Sequence, residues 1–192
     1  SESLETRLAV WTIDEGPPPG ILFVCLHLPN KHHHSDPAQQ SLAIRVAGKI
    51  REVERKLDIS RTLILGDFNM NPFDNGMRAV DGFHAVMSRR LAARGSRVSY
   101  GEEFPYLYNP LWGHFGDRTP GPEGSYYHAS GDEVSPYWHL FDQVLLRPEL
   151  VDDLEEVRVL DQIAGVSLLS GKNATPDSDS FSDHLPLLVR LK

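Results

Sequence analysis

The spacing of apolar residues predicts a sheet protein with one long helix. Residues 7–13 (RLAVWTI) read as a strand that ends at Asp14-Glu15-Gly16 and the Pro17-Pro18-Pro19-Gly20 cluster. Residues 21–28 (ILFVCLHL) follow as a nearly continuous apolar strand, so the two predict a buried hairpin. Beyond a polar loop, Asp36 reads as an N-cap, Pro37 suits the first helical position, and Gln39 stands where a capping-box partner would. From there Leu42, Val46, Ile50, Val53 and Leu57 recur at spacings of three and four, with Arg45, Lys49, Arg51, Arg55 and Lys56 between them. This is an amphipathic helix made to cover a sheet.

A third buried strand is expected over 62–65, running into Gly66-Asp67-Phe68-Asn69 and the Asn71-Pro72 breaker. Residues 76–94 read as helix in two pieces, interrupted near Asp81-Gly82. From Tyr100 to Phe141 the periodicity fades, while 11 of the 17 aromatic residues collect there, which argues for an ordered, functional loop region. Core strands are then expected at 140–146 (LFDQVLL) and 185–191 (LPLLVRL), with another near 157–160. No internal repeat, heptad or low-complexity tail is visible.

Composition narrows the class. A chain of 192 residues suits one domain, and no apolar run approaches the roughly 18 residues of a membrane helix. Cys25 is the only cysteine, which excludes an internal disulfide framework and a Cys-based zinc cluster. The net charge of −8 opposes non-specific attraction to a nucleic-acid backbone, so any such role has to rest on a local site. Residues 1–5 have neither a basic nor an apolar leader character, so no signal peptide is expected there and a cytoplasmic location is slightly favoured.

Polar groups gather where apolar strands stop: His27 after ILFVCL, Asp67 and Asn69 after LIL, Asp142 inside HLFDQVLL, and Asp183-His184 just before LPLLV. Buried strands carry carboxylates and imidazoles when these are paired or bind something. Each alone reads more readily as a turn acid, a cap or a hydrogen-bonded core histidine. Together and in this order, the segments LHLPN (26–30), LILGDFNMNP (63–72), LFDQVLL (140–146) and SDHLPLL (182–188) resemble the endonuclease/exonuclease/phosphatase superfamily of metal-dependent phosphoesterases. The resemblance spans residues 7–192.

It implies an α/β fold of two packed, mostly antiparallel sheets flanked by helices, a four-layer sandwich, as one domain over 1–192. It also implies Mg²⁺- or Mn²⁺-dependent hydrolysis of a phosphodiester or phosphomonoester by in-line attack of water. Such chemistry needs hard oxygen ligands for the cation, a carboxylate for the water and donors for the phosphoryl oxygens. By resemblance Asp183 is a metal ligand, and Asp67 orients or deprotonates the water and also touches a metal. Asn69 gives its amide to the phosphate, His184 contacts it under the control of Asp142, and His27 reaches a non-bridging or leaving oxygen. A tyrosine is common at the His27 position in the apurinic endonuclease branch, so histidine leans towards the deoxyribonuclease and sphingomyelinase side. The expected partner is a phosphoester substrate, nucleic acid among the candidates.

Two segments of the family pattern have no counterpart: a first strand ending in asparagine and a later one ending in the glutamate that is the principal metal ligand. The chain opens at what would be the strand after that glutamate, so an N-terminally incomplete domain is expected. Glu2, Glu5, Asp14 and Glu15 do not follow an apolar strand in the family's manner and are not assigned the role. The alternative function is a phosphate-binding or scaffold module that no longer hydrolyses. His32-His33-His34 could bind a transition metal or be solvated, and Arg89, Arg90, Arg94 and Arg97 could steer a phosphate or form a charged face. Tyr106, Tyr108, Trp112, Tyr126, Tyr127, Tyr137 and Trp138 could line a cleft or anchor the long loop.

Overall fold

The computed structural model describes residues 7–14, 20–30, 35–129 and 135–192. The first half of the chain contains β1 (Leu8–Ile13), β2 (Ile21–His27), α1 (Asp36–Leu57), β3 (Thr62–Asp67), α2 (Asn75–Arg78), β4 (Ala85–Val86) and α3 (Arg89–Ala92). After these come the short strands β5 (Ser96–Ser99), β6 (Glu102–Pro105), β7 (Leu107–Tyr108), β8 (Tyr126–Tyr127) and β9 (Trp138–His139). The last part holds β10 (Asp142–Leu146), β11 (Leu154–Val159), β12 (Gln162–Ile163), β13 (Val166–Ser167), β14 (Leu169–Ser170), β15 (Thr175–Pro176) and β16 (Leu187–Leu191).

One mixed sheet dominates, in the order β1-β2-β3-β10-β7-β4. The β1–β2 hairpin is antiparallel, β2 and β3 are parallel through the α1 crossover, and β10 returns antiparallel to β3. Strand alternation assigns the two faces. Leu22, Val24, Leu26, Ile64 and Leu145 meet Ala43, Val46, Ala47 and Ile50 of α1. On the other face Leu63, Val144 and Leu146 pack with Leu154, and the half-buried Val157, Leu187, Val189 and Leu191 of the β11–β16 pair close over them. The described residues form a mixed α/β fold with one six-stranded sheet, α1 on one face and the β11–β16 pair on the other, plus four further two-stranded sheets, and not the two full sheets of the expected four-layer sandwich.

Two local expectations are corrected. Ser35 is the N-cap of α1 and Asp36 lies inside the helix, without a side-chain cap. Residues 76–94 form only two four-residue helices, because Phe83 and Ala85 turn inward to the core where β4 pairs with β7. The described residues of the 100–141 region hold the short strands β6 to β9 and a 3₁₀ turn at Pro110–His114, in keeping with the ordered loop expected there. The His32-His33-His34 run and the acids Glu2, Glu5 and Glu15 lie outside the described residues.

At the end of the sheet where β10 stops, Arg147 is buried and forks onto Glu54 of α1, its Nε 2.8 Å from Oε1 and a terminal nitrogen 2.9 Å from Oε2. The other terminal nitrogen donates to the carbonyls of Pro105 and Tyr106. One guanidinium thus ties the helix, the sheet and the loop before β7 together.

A candidate phosphoester site at the strand ends

At the opposite end of the same strands lies a pocket of about 790 Å³. His27, Asp67, Asn69, Asp142, Asp183 and His184 all line it. The register explains the gathering: His27 closes β2 beside Asp67 in the parallel pair, and Asp142 opens β10 opposite Asp67 in the antiparallel pair. Tyr126 bridges to His184, and the Leu185 N–H donates to the Ser125 carbonyl, so the chain before β16 is held against the same end.

Gly66 allows this convergence. Its φ is +147°, and a Cβ there would sit 1.9 Å from the Leu26 carbonyl oxygen, so no side chain fits where β2 and β3 draw together. Asp67 then projects into a tight turn. Its Oδ1 accepts from the Asn69 backbone N–H at 2.7 Å, and its Oδ2 from the Asn69 side-chain amide at 2.7 Å. Asn69 has φ +49° and is buried; its amide also donates to the Leu28 carbonyl, and its own carbonyl accepts from Gln39 of α1. Both amide protons of Asn69 are thus used within the protein, and a phosphate contact would replace one of these bonds.

His184 donates through Nδ1 to Oδ2 of Asp142 at 2.7 Å, a pair that is about one-fifth to one-quarter exposed. Burial works against the charged imidazole, but the hydrogen bond and charge of Asp142, with Asp67 and Asp183 behind them, outweigh it and raise His184 above its ordinary value. Burial, and then the charge of Asp142, push the Asp67 carboxyl above the usual carboxylate value against the opposing pull of Asn69, His184 and His27. His27 Nε2 lies 3.4 Å from Asp67 Oδ2, but its side chain is 73% exposed, so water screens that contact. Asp183 is exposed at the rim.

The wall of the pocket is aromatic, and of its residues only Tyr126 was expected from the sequence. Tyr126, His128, His139 and Phe141 also line the pocket, and Tyr126 lies over His184 with ring centres 4.7 Å apart. Of the seven aromatics singled out as cleft candidates, Tyr126 is the one in the pocket, whereas Tyr106 and Tyr108 are core residues and Trp112 packs near Phe73. None of Arg89, Arg90, Arg94 and Arg97 lines it; Arg89 lies over the Tyr108 ring and donates to the Val151 carbonyl. Ser125 and Asn71, both buried, frame the site: the Ser125 hydroxyl accepts from the Phe141 and Asp142 N–H groups, and the Asn71 side chain from Leu140.

Among the described residues no group of three His, Cys, Asp or Glu side chains is placed to hold a metal ion. Both oxygens of Asp67 are engaged by Asn69, and one of Asp142 by His184, which leaves the described residues short of a complete hard-oxygen site. No helix among them is long and apolar enough to cross a membrane.

No protein-family model matches the sequence, and no curated protein matches it. Solved structures do. A 3'-5' exonuclease (NExo) from Neisseria meningitidis aligns with TM-score 0.53 and 14% identity over 97% of this chain and 65% of its own. A Bacteroides thetaiotaomicron structure described as an endonuclease/exonuclease/phosphatase family protein aligns with TM-score 0.50 and 18% identity over 90% of this chain and 48% of its own. This chain thus spans about half to two-thirds of the length of these structures. At such identities the likeness concerns the fold, and with the strand-end order already described it places the chain in the endonuclease/exonuclease/phosphatase fold.

Proposed function

We propose that this chain is the phosphate-handling part of a hydrolase that attacks a phosphodiester or phosphomonoester in line with water. The observation that carries the reading is the His184–Asp142 pair standing beside Asp67 in one pocket. Asp67, held by Asn69 and lifted towards a more basic range, is suited to orient the water and take its proton. His184, whose Nδ1–H donates to Asp142 and whose proton is held more firmly for it, is suited to donate to a phosphoryl oxygen as negative charge builds there. His27, exposed at the end of β2 on the pocket lining, would meet a non-bridging or leaving oxygen. Asn69 acts first by fixing Asp67.

Dependence on Mg²⁺ or Mn²⁺ belongs to this proposal through the resemblance, with Asp67 and Asp183 as the carboxylates this chain would offer. Further ligands would have to come from outside the described residues. For the substrate, the fold is shared with a Neisseria 3' phosphatase bound to a product DNA hairpin, which supports a nucleic-acid end as a candidate. The net charge of −8 argues for local recognition over backbone-wide binding.

The test is hydrolysis of bis-p-nitrophenyl phosphate with Mg²⁺ or Mn²⁺, with Asp183→Ala and Asp67→Asn as controls. Metal-dependent turnover lost in both variants supports the reading; turnover unchanged in both would refute it. The incomplete donor set favours a second reading, a module that binds phosphate without hydrolysing it. Calorimetry separates the two: phosphate uptake without Mn²⁺ uptake or turnover selects the second.

A further inference from the structure

Asp142 and His184 come from segments 42 residues apart, and one residue that does not line the pocket bonds to the main chain of both segments. Ser125 is 0% exposed. Its hydroxyl oxygen accepts from the Phe141 N–H at 3.1 Å and from the Asp142 N–H at 3.0 Å, which uses both lone pairs. Its carbonyl accepts at 2.8 Å from the N–H of Leu185, the residue after His184, and its own N–H donates to the His139 carbonyl at 2.8 Å. β7 pairs with β10 at Leu146, opposite Tyr108, so at the Asp142 end a hydroxyl takes the N–H groups that a longer neighbouring strand would take. Gly124 lets the chain come this close, because a Cβ there would sit 2.5 Å from the His139 carbonyl oxygen.

We propose that Ser125 is a positioning residue for the His184–Asp142 pair: its hydroxyl fixes where the Asp142 carboxylate stands, and its carbonyl fixes where the His184 imidazole stands. The 2.7 Å bond between Nδ1 and Oδ2 follows from that common anchor. Tyr126, the next residue, bridges to the His184 backbone and lays its ring over the imidazole, 4.7 Å between centres, so the same short segment also limits how the ring tilts. An alanine at 125 leaves two N–H groups without an acceptor in a largely dry interior, and the start of β10 has to turn to satisfy them. Asp142 then moves away from Nδ1, although no group that faces the pocket has been removed. The effect on turnover rests on the phosphoester reading, whereas the positioning itself stands on this geometry.

The experiment is long-range ¹H–¹⁵N correlation NMR on the full chain without metal, at an alkaline pH where imidazoles are neutral, with His184 identified by the signals lost in His184→Gln. The unaltered chain is expected to show one tautomer, protonated at the Nδ1 that faces Asp142. Ser125→Ala is expected to mix in the Nε2–H form, while Ser125→Thr, which keeps the hydroxyl, holds the Nδ1–H form. Leu140→Ala, a truncation of a fully buried neighbour that leaves the hydroxyl in place, is expected to lower Tm without changing the tautomer. A single Nδ1–H tautomer in folded Ser125→Ala, or an equal mixture in Leu140→Ala, overturns the assignment. Ser125→Cys, close in size but only a weak acceptor, is read in the same way if Ser125→Ala does not fold. With bis-p-nitrophenyl phosphate and Mn²⁺, kcat is expected to fall about 10–100-fold in Ser125→Ala with KM changed less than about twofold, and to recover in Ser125→Thr. An unchanged kcat beside a mixed tautomer overturns the effect on turnover alone. No turnover by the unaltered chain overturns the hydrolytic reading, and the positioning role then stands or falls on its own spectrum.

Discussion

Asp67 and Asp142 stand directly opposite one another in the antiparallel register of β3 and β10, two carboxylates side by side at one end of the sheet. Their environments separate their tasks. Asp142 is turned to the imidazole of His184, while Asp67 is gripped by Asn69 and carries the cost of the neighbouring charge. Replacing Asp142 by Asn removes the charge that raises both His184 and Asp67. The expected outcome is a fall of both pKa values by NMR titration. If the phosphoester reading holds, kcat/KM falls with them by about 10²–10⁴, because the charged acceptor of the His184 ring is replaced by a neutral amide that can equally present its NH₂ to Nδ1.

The sign of the His184 shift fixes a pH dependence. Its folded value lies above the ordinary 6.5, so the stability it contributes is fully present below 6.5 and is lost as pH rises through the raised value. Urea unfolding of the unaltered chain and of His184→Gln is expected to show a stability difference that shrinks across that window. A difference that grows with pH would contradict the arrangement.

The Arg147–Glu54 fork is an interior ion pair, and truncating one partner strands the other charge. Arg147→Ala is expected to destabilise by about 3–5 kcal/mol in chemical denaturation. Phosphate binding by the folded fraction should be unchanged, because Arg147 lies at the far end of β10 from the pocket.

Gly66→Ala places a methyl group against the Leu26 carbonyl at a φ that side chains rarely adopt. Thermal and urea unfolding are expected to show a loss at the upper end for single substitutions, about 3–5 kcal/mol. The Asp67–Asn69 turn is expected to lose its amide protection in hydrogen exchange.

Much of this was legible in the chain because it is local. The runs RLAVWTI and ILFVCLH became the β1–β2 hairpin, and the three-and-four spacing of Val46 and Ile50 became the buried face of α1. The 76–94 segment misled because Met77, Val80, Phe83 and Val86 also recur at threes, whereas their burial comes from a strand pairing of Ala85 with Leu107. Strands of two residues, such as β7 to β9, have no period to read. The strand-end acids were found through their order in a known pattern, but the Asn71–His139 bond joins distant residues and leaves no local mark.

The forked Arg147 and the paired acids occupy opposite ends of a strand of only five residues, roughly 17 Å by ordinary strand rise. One end anchors and the other faces the pocket. Sequence drift at the Arg147 end would show itself in how much folded protein survives, and drift at the Asp142 end in what the survivors can do. A variant library scored for both abundance and phosphate binding should therefore resolve β10 into two halves, each silent in the assay that the other dominates.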